Sequence, residues 1–380
     1  MASYYEFFAG GGMARAGLGP AWTCLFANDI DPRKAASYRA NFAGETLRVC
    51  DIADLSTHDL PGLADLAWAS FPCQDLSLAG RGEGLEGTRS GAFHPFWRLM
   101  KALAAEGRAP AIIAIENVLG LLSSRGGENF RRLTTILDEG IWRFGALCID
   151  ASLFVPQSRP RLFLIGVRND IAIDPSLLAT RPSPPFHPPR LEGAILALRR
   201  RIAERMIWWA LPPPAARNRG FSDLLEDAPG GVGWFSAKET SRLVSMMSTA
   251  NLTKLEAAKR RGRRVAFGLY RRMRPGGSGG RVQRAEIRGG DLAGCLRTPA
   301  GGSSRQTILI VEGEEIRARL ISAREAARLM GLADDYVLPD RRNAAYRLIG
   351  DGVVVDVVSH LARNVFEPLL SRGQTQAKAA

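Results

Sequence analysis

The strongest constraint on this chain is a rhythm in its first 168 residues, where short apolar segments alternate with amphipathic ones. Residues 4–8, 23–27, 46–50, 66–71, 112–115, 144–149 and 162–167 read as strands, and 33–41, 96–106 and 129–139 have helical spacing. Strands that alternate with helices form βαβ units, and a series of them predicts an α/β fold with a doubly wound parallel sheet. Ligands of such a sheet bind beyond the carboxyl ends of its strands, where the strand order reverses. Functional residues are therefore sought at strand ends.

Six prolines at 175, 182, 184, 185, 188 and 189 interrupt this pattern and read as a linker, since neither a helix nor a central strand can continue through them. The segment that follows, to about residue 316, has a basic helix-like run near 199–209, prolines at 212–214 and many glycines, and predicts a second, smaller domain of irregular or short-strand character. Regular helix returns where Ser322 and Glu325 form a capping box ahead of Ala326, Leu329 and Met330. A last helix is marked by Val353, Val354, Val357, Val358 and Leu361. Both helices are expected to return to the first sheet, which gives a division into 1–175, 176–316 and 317–380.

Charge narrows the partners. Lys and Arg number 51 against 38 acids, a net +13, which favours a polyanionic partner. From 254 to 288 the only acids are Glu256 and Glu286, against a dense set that includes Lys259, Arg260, Arg263, Arg271, Arg272, Arg274, Arg281 and Arg284. This is either a solvated basic face or a phosphate-contacting surface, and Phe267, Tyr270 and the glycine-rich loop at 275–280 favour the second. Five cysteines without a C-x-x-C pair and four scattered histidines suggest neither a disulfide frame nor a metal site, and fit a reducing compartment. No apolar run approaches the ~20 residues that span a bilayer, and no charged leader precedes one; the expectation is a soluble, cytoplasmic protein.

Strand one runs into Phe8, Ala9, Gly10, Gly11 and Gly12, a turn that lets the backbone approach a ligand. Alone it would serve NAD, FAD or S-adenosylmethionine equally. The second strand ends at Asp29, placed to hold ribose hydroxyls, and the third at Asp51, placed to accept from an adenine amino group, so the set favours an adenosine cofactor; each acid could instead be an ordinary helix cap. Strand four ends in Pro72-Cys73-Gln74. A lone cysteine is usually a small buried hydrophobe, but this one stands at the expected reversal point beside the glycine turn. Strand five ends in Glu116-Asn117-Val118, and Arg159 and Arg161 open strand seven on what alternation makes one face. Thiol, carboxyl and guanidinium can converge; the plain alternative is a structural Glu–Arg ion pair.

These motifs, in this order, resemble those of the DNA (cytosine-5) methyltransferases of bacteria and phages. The likeness spans both ends of the chain, including Gln157-x-Arg159-x-Arg161, the segment 319–325 and Gly350-Asp351-Gly352-Val353. It implies a Rossmann-like, S-adenosyl-L-methionine-dependent catalytic domain with a smaller DNA-recognition domain. It further implies cofactor contacts from Phe8, Gly10, Gly12, Asp29, Ile30, Asp51, Ile52, Pro72 and Asp351. The catalytic set would be Cys73, Glu116, Arg159 and Arg161: Cys73 as nucleophile toward carbon 6, Glu116 at N3, Arg161 at O2, and Arg159 organising the thiol and carboxyl groups. DNA would be met by Gln74, Ser77 and Arg89 and, in the second domain, by Thr298, Ser303, Arg305 and Gln306. No metal is required.

The resemblance also implies duplex DNA as partner, a target cytosine swung out of the helix, a restriction-modification, phage or orphan role in which any cognate endonuclease acts separately, and a monomer. Three departures from the family pattern, Glu6 in place of Asp, Met13 in place of Gly and Asp351 in place of Asn, concern cofactor geometry.

Overall fold

The computed structural model describes residues 1–71, 92–276, 279–298 and 306–371. They form two compact units, one comprising Met1–Asp150, Pro160–Ala215 and the chain from Val353 onward, the other Ala151–Arg159 and Ala216–Gly352. In chain order the elements begin β1 (Ala2–Phe7), α1 (Met13–Leu18), β2 (Trp22–Asp29), α2 (Pro32–Asn41), β3 (Leu47–Val49), β4 (Leu66–Ala69), α3 (Phe93–Ala105) and β5 (Ile112–Val118). They continue α4 (Glu128–Leu137), β6 (Trp142–Asp150), β7 (Pro160–Arg168), α5 (Pro189–Leu196), α6 (Arg200–Arg205), α7 (Ala237–Ser245), α8 (Thr249–Lys259), β8 (Val265–Pro275) and β9 (Arg281–Arg288). The last are β10 (Thr307–Glu312), β11 (Glu315–Leu320), α9 (Ala323–Arg328), α10 (Arg342–Asp351) and α11 (Val355–Leu361). No helix among the described residues is long and apolar enough to cross a membrane.

The first unit is built on a seven-stranded sheet in the order β3-β2-β1-β4-β5-β7-β6. β1 pairs in parallel with both β2 and β4, so the strand order reverses beside β1, as a doubly wound sheet requires. The parallel series ends at β5, because β7 runs antiparallel to both β5 and β6. Aromatic packing sets the core: the Phe7 ring lies 5.2 Å from Phe96 on α3 and 5.9 Å from Phe26 on β2. α3 buries Phe93, Phe96, Trp97, Met100 and Leu103, the three- and four-residue spacing of one helical face. α11 packs on α1 at Gly17, where a Cβ would stand 2.5 Å from Val358 Cβ. The final helix thus returns to the first unit, as its spacing predicts.

The proline-rich stretch is not a linker between the units. Phe186, Leu191, Ile195 and Trp209 are buried, Ile207 N–H donates to Phe144 O at 2.9 Å, and Cys148 N–H donates to Phe186 O at 2.8 Å. Proline cannot extend a ladder, yet its segment covers the outer edge of β6 and keeps that edge from pairing elsewhere. The compact units accordingly divide at 215/216 and 352/353, beyond the expected positions at 175/176 and 316/317.

The second unit is more regular than its glycines and prolines suggest. Four antiparallel strands in the order β11-β10-β8-β9 are covered by α7 and α8, which with Met247 of the link between them bury Leu243 and Leu255 against Val265, Phe267, Leu269, Ile287 and Leu309. α9 carries the expected capping box, with Ser322 Oγ accepting from Glu325 N–H at 3.0 Å. It packs with α10 inside this unit rather than returning to the first sheet. Its Glu325 forms a fully buried bidentate pair with Arg319 at 2.6 and 2.7 Å, and Trp234 lies over the Arg319 guanidinium at 5.0 Å.

Candidate active site

At the carboxyl end of β1 the chain enters a left-handed turn. Phe8, Gly10 and Gly12 have φ of 59°, 57° and 77°, a conformation natural to glycine and uncommon for phenylalanine. At Gly12 a Cβ would overlap the Phe42 ring, so only glycine fits; at Gly10 nothing lies within 4 Å, which leaves backbone open to a ligand. Asp29 fixes the turn: its Oδ2 accepts from Gly10 N–H at 2.8 Å and its Oδ1 from Asp31 N–H at 2.8 Å. The Asp29 carboxylate is thus built into the loop while standing at the ligand edge. Asp51 caps the short turn after β3 through Ala53 N–H at 2.9 Å. Ile30 is 64% exposed, an apolar side chain with no cover of its own beside these acids, whereas Ile52 is buried in the core.

Beneath the turn lies Glu6, 1% exposed. Its carboxyl accepts from Arg15 N–H and from Tyr38 Oη, both at 3.4 Å, and burial pushes its pKa up to about 8. Arg15 in turn donates to Tyr38 Oη at 3.1 Å and stacks 4.8 Å from the Phe42 ring. Arg15, Tyr38 and Phe42 were not singled out from sequence; the one signal was Glu6 itself, an acid inside an otherwise apolar strand.

The ends of β4 and β5 meet next to β1. Asn117 Nδ2 donates to Phe71 O at 3.4 Å, tying the last described residue of the β4 segment to the Glu116 strand. Glu116 Oε1 stands 3.0 Å from Arg161 Nε, with side-chain exposures of 8% and 15%. The register explains the pair, since Val118 lies opposite Arg161 and Glu116 opposite Phe163, so Glu116 and Arg161 are diagonal neighbours on one face. The Arg159 guanidinium donates to Leu296 O at 2.9 Å, Gly350 O at 2.8 Å and Gly352 O at 2.7 Å, all within the second unit.

Asp351 closes α10, exposed, and belongs to that unit too. Thr298 is half-buried with its backbone against Gly350, and the Gln306 amide donates to Tyr270 Oη at 3.2 Å. Pro72, Cys73, Gln74, Ser77, Arg89, Ser303 and Arg305 lie outside the described residues. Of the other cysteines, Cys24, Cys50 and Cys148 have thiols pushed up by burial, Cys148 to about 12, and are poor nucleophiles.

The open backbone at Gly10, the acid at the end of β2 and the uncovered Ile30 fit an adenosine-bearing cofactor such as S-adenosyl-L-methionine. Fold and site together define an α/β protein whose strand ends can hold a nucleotide-bearing cofactor. The model of the C-5 cytosine-specific DNA methylase family matches residues 2–367, and the chain belongs to that family. It is a DNA cytosine-5 methyltransferase that takes its methyl group from S-adenosyl-L-methionine.

Among its relatives, the Type II methyltransferase M.HhaI of Haemophilus parahaemolyticus is 25% identical over 95% of this chain and 93% of its own length. M.NlaX of Neisseria lactamica is 24% identical over 95% of both. The fold matches that of the Entamoeba histolytica methyltransferase EhMeth with a TM-score of 0.63 at 14% identity, covering 97% of this chain and 99% of that one. A putative DNA modification methyltransferase from an Escherichia coli prophage gives 0.58 at 17% identity, with 97% and 100% covered.

Proposed function

We propose that the chain methylates a cytosine swung out of duplex DNA through a covalent adduct on Cys73. Carbon 5 of cytosine is a poor nucleophile on its own. Addition of the Cys73 thiolate to carbon 6, with Glu116 protonating or hydrogen-bonding N3, turns the ring into an enamine whose carbon 5 can bond to a methyl group. Bound S-adenosyl-L-methionine supplies that methyl as an electrophile. Glycines 10 and 12, Asp29, Asp51 and Ile30 would hold it. Arg161 steadies the Glu116 carboxyl and is assigned O2 of the ring. Loss of the carbon 5 proton to a base and expulsion of Cys73 restore the aromatic ring and the thiol.

The observation that carries this reading is the Glu116–Arg161 pair at 3.0 Å on the strand neighbouring the one that leads to Cys73. The second unit is assigned target recognition, and the chain is assigned a monomeric, cytoplasmic role in a restriction-modification system or as a phage or orphan modification enzyme. Any cognate endonuclease would be a separate protein. Duplex DNA carrying 5-fluorocytosine provides the test, because fluorine cannot leave as the proton does. A stable adduct mapped to Cys73, absent from Cys73→Ser, is expected; turnover by Cys73→Ser, or an adduct elsewhere, would overturn the assignment. Cys73→Ser is expected to retain cofactor binding.

A further inference from the structure

β8 and β9 continue past the rest of the second sheet as a two-stranded arm, since β10 pairs with β8 only from Val265 to Leu269. On this arm Arg272 stands directly opposite Arg284, and Tyr270 opposite Glu286, so these side chains share one face with Arg274. Like charges directly opposite each other are unfavourable unless something lies between them. The face has one acid, Glu286, and that carboxylate is committed: Arg274 holds both its oxygens at 2.5 and 2.9 Å, with Arg272 at 3.7 Å. Arg284 has no carboxylate partner among the described residues and is exposed. Beside it opens a cavity of about 420 Å³, bounded by Arg274, Arg284 and Glu286 from the arm and by Ser248, Thr249 and Asn251 from the chain entering α8. The space is much larger than the ~30 Å³ share of one water molecule, and beside the apolar Met247 and Ala285 its walls carry the polar groups of the other six residues.

We infer that this cavity is a binding pocket for a backbone phosphate of the DNA duplex, with Arg284 as its principal contact and Arg272 and Arg274 completing its charge. A phosphodiester can take hydrogen bonds from several guanidiniums at once and relieves the Arg272–Arg284 opposition, whereas a base edge engages one. Glu286 orients Arg274 and competes with the phosphate for it. The pocket rests on the reading of the chain as an enzyme of duplex DNA, and it fixes where the second unit grips the backbone independently of sequence.

Salt dependence separates the possibilities. Neutralising one phosphate contact changes the slope of log affinity against log salt by about 0.9. Arg284→Gln is therefore expected to lower the slope by about that amount on both a methylated-target duplex and a random one, with Arg284→Lys keeping the wild-type slope and Glu286→Gln binding more tightly than wild type. An unchanged slope for Arg284→Gln, a loss confined to the target sequence, or weaker binding by Glu286→Gln would overturn the pocket. Arg284-dependent binding of inorganic phosphate, together with duplex affinity and slope unchanged in Arg284→Gln, would assign the pocket to a free anion instead. Thermal melting of each variant should match wild type, since these side chains are solvent-facing. Wild-type protein that neither binds nor methylates duplex would sink the DNA reading itself; wild-type methylation with an unaltered Arg284→Gln slope would sink only the pocket.

Discussion

Glu6 shows how a single residue can carry a measurable signature. Its carboxyl lies under the glycine turn, among Tyr4, Cys24, Tyr38 and Arg15, with burial raising its pKa to about 8. An unfolded glutamate titrates near ~4.3, so between roughly pH 4.5 and 8 the folded chain holds a proton that the unfolded chain has released. Stability then falls as pH rises through that window, by at most about 1.4 kcal/mol per unit, and levels off above it. Glu6→Gln removes the titration, and its melting temperature should lose this decline; parallel wild-type and variant profiles would show that Glu6 is ionised throughout. At the β5 edge, Glu116→Gln keeps the side-chain shape but cannot act as an acid. Single-turnover methylation is expected to slow by roughly 10²–10⁴, the usual worth of a placed acid or base, with cofactor affinity held. An unaltered rate would remove Glu116 from the chemistry. The residues at strand ends were legible because parallel sheets place ligands there; the contacts of Arg159 with Leu296, Gly350 and Gly352 were not, because these acceptors lie more than a hundred residues away.

Among elements, the strands of the first unit were read from apolar runs to within two or three residues at their ends, but their direction was not. A strand buried on both faces looks the same whether parallel or antiparallel, so the reversal of β7 leaves no mark in its composition. The prolines at 175–189 misled for a related reason: they report the absence of backbone donors, not the absence of packing, and Phe186 and Trp209 bring that segment onto β6. α11 was legible through its valine spacing, and Gly17 is its counterpart on α1. A Cβ at Gly17 would meet Val358 Cβ at 2.5 Å and Val355 O at 2.7 Å, while Ser359 Oγ donates to Gly17 O at 2.6 Å. Gly17→Val must push the helices apart and should cost about 1–3 kcal/mol, the range of overpacked cores. Denaturant titration checks this; a variant as stable as wild type would mean that the C-terminal segment is held by contacts beyond α11, such as the Trp22–Glu367 hydrogen bond at 3.1 Å.

For the molecule as a whole, the division of the chain decides which segment can be exchanged. Composition places the second domain between the proline stretch and residue 316, but a graft of 190–310 would cut across two structures. It would remove Ile207 N–H from Phe144 O and the Leu178–Trp209 bridge, uncovering β6, and it would end inside β10, separating that strand from its partner β11. A graft of 216–352 keeps the four-stranded sheet whole and exchanges Glu226, Arg319 and Glu325 together, which are joined by the buried Arg319–Glu325 pair and by Glu226 N–H donating to Glu325 at 2.8 Å. The acceptors of Arg159 are backbone carbonyls, which any relative of the same fold provides. Replacement of 216–352 by the equivalent unit of a relative should therefore give a folded enzyme that methylates the relative's sequence, read by bisulfite sequencing of host DNA, while the 190–310 graft should be insoluble or inactive. If the 216–352 chimera folds and still methylates the original sequence, target choice resides in the first unit, and the assignment of recognition to the antiparallel sheet fails.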